Sequence, residues 1–119
     1  MNQNPYLAGL ELVRKNSGTS GQIALAKCIL SLYNDQHAFS IGEVLRPLDR
    51  AYTQVVLAMV NEYAAHGETM ELCQAGRYVY ANFPQLIELS NAMSDARAGV
   101  RQKWDLQYEE EMRRLYPDD

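Results

Sequence analysis

The sequence is poor in the residues that most often carry chemistry, with two cysteines, two histidines and one tryptophan among 119 residues. Cys28 and Cys73 stand far apart beside apolar residues, which excludes a CxxC redox pair or zinc ribbon and leaves two buried thiols as the expectation. No carboxylate or thiol stands three or four residues beyond His37 or His66, so no metal site of the helical kind is expected. Long apolar runs are missing too. The longest, Val55 to Val60, falls far short of the roughly 20 residues that cross a bilayer, and the Met-Asn-Gln-Asn-Pro start lacks a basic n-region. The expectation is a soluble, cytoplasmic chain with no membrane partner. With 7 Gly and 4 Pro there is no linker or low-complexity tract, and residues 1–119 read as a single domain.

An excess of positive charge is also lacking. The 11 basic and 15 acidic residues are balanced up to residue 67, so the deficit of four belongs to the second half, most densely at Glu109, Glu110, Glu111, Asp118 and Asp119. Phosphate neutralisation needs a basic face, which makes nucleic acid a less favoured partner. Arg outnumbers Lys eight to three, a mild sign of contact surfaces.

What is present is helical periodicity. Asn4-Pro5 opens a first helix to Lys15, with Tyr6, Leu7, Leu10 and Val13 at helical spacing, and Asn16 to Gly21 breaks it. Thr19 and Gln22 stand in capping-box register before a helix that is apolar almost all round from Ile23 to Tyr33, the pattern of a buried central helix. After a turn at Asn34 to Phe39, Ser40 and Glu43 form a second capping box before a short helix ended by Pro47. Asp49 then starts a long helix, Arg50 to His66, stopped by Gly67 and expected to be the second core helix through Ala51 to Tyr63. Residues 68–83 fit either a helix or a hairpin through Gln74-Ala75-Gly76. Helix is preferred, because a lone hairpin is marginally stable.

From Pro84 to Tyr116 one helical pattern runs through Leu86, Leu89, Met93, Ala96, Val100 and Trp104. Unbroken, it would extend on the order of 50 Å, too long for a compact domain whose radius of gyration should be roughly 13 to 14 Å. It must break near Ser90 to Gly99, or project and pack on something else. The fold class expected is an all-α, compact bundle of five or six helices with a long C-terminal helical segment.

Three constellations invite a functional reading. Gly18-Thr-Ser-Gly21 superficially resembles a phosphate cradle, but no strand precedes it and no Lys follows at P-loop spacing, so no cofactor is expected. A short helix, a turn at Pro47, a long helix and a possible hairpin match the layout of a winged helix-turn-helix, with Arg50, Thr53 and Gln54 facing a groove and Arg77 on the wing. Against it, that long helix is mostly apolar and neutral. The third is Arg97, Arg101, Trp104 and Tyr108, residue types enriched at binding hot spots, followed by the solvated Glu109 to Glu111 run. Trp104 closing over the domain's own core is the competing reading.

Residues 9–59 resemble a family of uncharacterised small helical proteins carried on bacterial plasmids and integrative elements. The carrying residues are Gly9-Leu-Glu-Leu, Ser20-Gly21-Gln22, Ser31-Leu-Tyr-Asn34, Phe39 and Leu48-Asp49. The resemblance implies an all-helical fold and a mobile-element setting, and no activity. Together these readings give a non-enzymatic accessory protein of a mobile genetic element that acts by binding another protein. Inhibition of a host defence or nucleic-acid-handling complex is one form of that role, and homodimerisation through residues 84–116 is a separate expectation. A winged helix-turn-helix DNA-binding regulator is the alternative.

Overall fold

The first five helices each open on a side chain that accepts from the free N–H groups of the first turn. In the computed structural model, which describes residues 3–117, Asn4 caps α1 (Pro5–Lys15), Thr19 caps α2 (Ser20–Tyr33) and Ser40 caps α3 (Ile41–Leu45). Asp49 caps α4 (Arg50–His66) and Thr69 caps α5 (Met70–Asn82). The last, α6 (Pro84–Leu115), has no side-chain cap and starts on Pro84, whose missing N–H costs nothing there. Among the described residues there are six α-helices and no strand, so the fold is all-α. Asp118 and Asp119, which carry part of the expected acidity, lie outside the described residues.

Helix α2 is the axis of the body. Leu25, Ala26, Ile29 and Leu30 are fully buried on it, and α1, α5, α3 and α4 all pack around it. Tyr6, Leu10 and Val13 of α1 and Leu72, Ala75 and Val79 of α5 complete the core. Gln22, expected to close a capping box, instead donates to Val13 O at 2.7 Å and accepts from Gly18 N at 2.9 Å, so it staples the end of α1 to the start of α2. Ser40 and Glu43 do form the reciprocal box. The Ser40 backbone N–H, followed by Lys27 at 3.1 Å, holds the Glu43 carboxyl below its ordinary value.

Two expectations need correction. The segment Ala51 to Tyr63 is not a second core helix: on α4 just Val56 and Met59 are buried, while Leu57, Val60 and Tyr63 are exposed. Its apolar face is wider than the neighbours available to cover it, and α5 takes the central place beside α2. There the two helices approach closely at Gly76, where a Cβ would overlap the Tyr33 ring. The second correction is to compactness. Helix α6 runs 32 residues without a break at Ser90 to Gly99, giving extents of 69 × 30 × 25 Å and a radius of gyration of 18.6 Å. Gly99 has nothing within 4 Å of its absent side chain, so it does not mark a close packing. A lone glycine costs a helix about 1 kcal/mol relative to Ala, too little to break one of this length.

Candidate functional site

Helix α6 divides into an anchored base and a projecting arm. Leu86 and Ser90 are buried, Ile87 and Met93 are half-buried, and from Asp95 to Leu115 every residue is exposed except the half-buried Met112. At about 100° per residue, the line through Leu86 passes within roughly 40° of Met93, Arg97, Val100, Trp104, Tyr108, Glu111 and Leu115. The face that anchors the helix therefore continues outward as one seam. Trp104 is 62% and Tyr108 63% exposed, and Val100 and Leu115 are exposed beside them. Trp104 does not close over the domain's own core.

The partner-surface residues expected from sequence all lie on this arm, on different sides of it. Arg97, Trp104, Tyr108 and Glu111 fall in the seam, Arg101 along its flank, and Glu109 and Glu110 point away from it. Glu109 pairs with Arg113 at 3.7 Å, an exposed pair of small energetic weight. Sequence reasoning passed over Met93, Val100 and Leu115 as surface residues. The signal was present, for Met93, Trp104 and Leu115 repeat at a spacing of eleven, which returns to the same face of a helix after three turns.

Charge on the arm also differs from the expectation. Residues 95–115 hold five acidic and five basic side chains, so the arm is neutral and the second half's acidity lies elsewhere, at Glu68, Glu71, Glu88 and the last two residues. Along the arm Asp95 precedes basic Arg97, Arg101 and Lys103, acidic Asp105 and Glu109 to Glu111 follow, and Arg113 and Arg114 end it.

The groups of the DNA-reading alternative are not assembled as that layout requires. Arg50 and Gln54 are exposed on the first turns of α4, and Thr53 is half-buried with its hydroxyl donating to Asp49 O at 2.8 Å. Residues 70–82 are helix, as preferred from sequence, so Arg77 stands exposed on α5 and there is no wing to carry it.

One histidine has a hydroxyl partner. His37 Nδ1 lies 2.6 Å from Ser90 Oγ, with the Tyr80 ring edge-on at 5.6 Å. His37 is 2% and Ser90 0% exposed, so no substrate carbonyl reaches the hydroxyl. Burial pushes the imidazole pKa below its ordinary value. Cys28 is buried and its thiol is pushed up to about 12, whereas Cys73 is half-buried. The Cys73 thiol donates to Glu68 Oε1 at 3.2 Å, which raises its pKa. No group of three or more His, Cys, Asp or Glu among the described residues is arranged to hold a metal ion, and no described helix is long and apolar enough to cross a membrane.

No family model matches this chain, and neither the curated proteins nor the solved structures contain a match.

Proposed function

We propose that this is a non-enzymatic interaction protein whose working element is the projecting arm of α6. The carrying observation is the continuous seam Met93, Val100, Trp104, Tyr108 and Leu115, anchored at one end in the core and uncovered at the other. In proteins most helical stability comes from the packing of an amphipathic face and little from propensity, and this arm includes Gly99 and few helix-stabilising ion pairs. An arm of that kind gains its stability from what covers it.

In the mobile-element setting that the resemblance of residues 9–59 implies, the protein acts as an accessory factor that occupies a surface of another protein. A host defence or nucleic-acid-handling complex is one such target. Affinity capture from the native host, comparing the wild-type chain with Val100→Glu/Trp104→Glu, tests the reading. Partners retained by the wild type and lost by the variant support it. If both retain the same partners and show the same mass in solution, the arm is not the working element.

A further inference from the structure

We infer that the arm of α6 is a self-complementary antiparallel pairing element, and that its occupant is the arm of a second copy of this chain, with Trp104 on the two-fold axis. This rests on the reading of the arm as an interaction element. It also specifies what covers that element.

The inference comes from the order of residues along the seam. Turning the arm end for end about Trp104 exchanges Met93 with Leu115, Arg97 with Glu111, and Val100 with Tyr108, while Trp104 falls on itself. All seven seam positions are thus matched in one register, apolar against apolar and the one cation against the one anion. Arg101, flanking the seam, then lies beside the second copy's Tyr108, a pairing that favours a guanidinium over an aromatic face. The parallel arrangement in register sets Arg97 against Arg97 and Glu111 against Glu111. Like charges facing across a helix pair are destabilising, so charge selects the antiparallel direction.

Length agrees independently. The matched stretch covers residues 93–115, about 33 Å of helix. It begins where α6 leaves the core, at half-buried Met93, and ends where the helix ends, at Leu115. The helical tip of each arm therefore reaches the other copy's body, and the two bodies sit at opposite ends of a shared rod. Neutrality fits as well, because an arm with five charges of each sign carries no net repulsion into a self-association. A closed two-fold pairing also uses up the exposed seam, so it does not propagate into a filament.

The test is the mass of the full chain by sedimentation across about 1 to 100 µM, with helix content checked by circular dichroism. The wild type is expected at twice 13.5 kDa. Arg97→Glu and Glu111→Arg are each expected to weaken association by about tenfold or more. The double variant Arg97→Glu/Glu111→Arg is expected to recover the dimer, since the two positions are too far apart on one helix to meet within a chain. A monomeric wild type at 100 µM overturns self-pairing, while the arm as a binding element for another protein is judged separately by the capture comparison. A dimer that neither single reversal weakens overturns the antiparallel register.

Discussion

His37 and Ser90, 53 positions apart in the chain, share a buried hydrogen bond of 2.6 Å that ties the turn after α2 to the base of α6. The arm's anchorage therefore includes, beside the apolar contacts of Leu86, Ile87 and Met93, one buried polar pair that is sensitive to protons. The imidazole is ordinarily half-protonated at 6.5, and burial lowers that value in the folded chain. Above pH 6.5 both folded and unfolded states hold it neutral and the contact contributes fully. As pH falls below 6.5 the unfolded chain takes up the proton first, and the contribution is lost on the way down through the folded value. The melting temperature is expected to fall between pH 7 and pH 5, before carboxylates such as Glu43 titrate, and His37→Gln is expected to be less stable at pH 7 with a flatter profile. Thermal melts of both proteins across this range check it.

Glycines 76 and 99 make opposite demands although both lie inside helices. At Gly76, where α5 lies close against α2, a methyl group would overlap the Tyr33 ring. Gly76→Ala is expected to destabilise by about 1 to 2 kcal/mol, because overpacking outweighs the gain in helix propensity. Gly99→Ala meets nothing. It is expected to stabilise the helix by about 0.5 to 1 kcal/mol, and since position 99 lies off the seam, without altering the solution mass. Chemical denaturation of the two variants, with sedimentation of the second, distinguishes the cases.

How much of this was legible beforehand follows from what each feature depends on. Caps and breakers are local, so Asn4, Thr19, Ser40, Asp49 and Gly67 marked helix ends correctly from sequence alone. Gly67 even shows the positive φ of 67° that such a stop requires. Core rank is not local. The apolar stretch from Ala51 to Tyr63 reads as central because its face is wide, yet Leu57, Val60 and Tyr63 are left 38 to 44% exposed in this fold. The pairing of His37 with Ser90 spans elements that no periodicity connects. For the arm, spacing correctly gave a choice between breaking and projecting. A single glycine was too weak a breaker to decide for the first.

The two thiols should differ sharply in reactivity. Cys28 is buried, with its pKa pushed up to about 12, and is expected to stay unmodified in the native protein. Cys73 is half-buried, and its bond to the Glu68 carboxylate holds it in the thiol form. A disulfide reagent at pH 8 is expected to titrate one thiol slowly in the folded chain and two after denaturation. Glu68→Gln removes the anion that favours the neutral thiol, so the native reaction should become faster. An equal or slower rate would show that access, and not ionisation, limits Cys73.

The sole tryptophan reports directly on the arm, because Trp104 is 62% exposed and has no counterpart elsewhere in the sequence. In a dilute, unpaired chain its emission should be that of an indole in water. On pairing, each Trp104 lies beside its copy with Val100 and Tyr108 around it, so the emission maximum should move to the blue as concentration rises. The midpoint of that shift should match the midpoint of the mass change. Arg97→Glu should displace both midpoints upward together, because it weakens pairing without touching the indole. Leu106→Ser, on the opposite face of the arm, should displace neither, although Leu106 is also exposed. A blue shift that follows concentration while mass stays constant would place the change within one chain and contradict the paired arm.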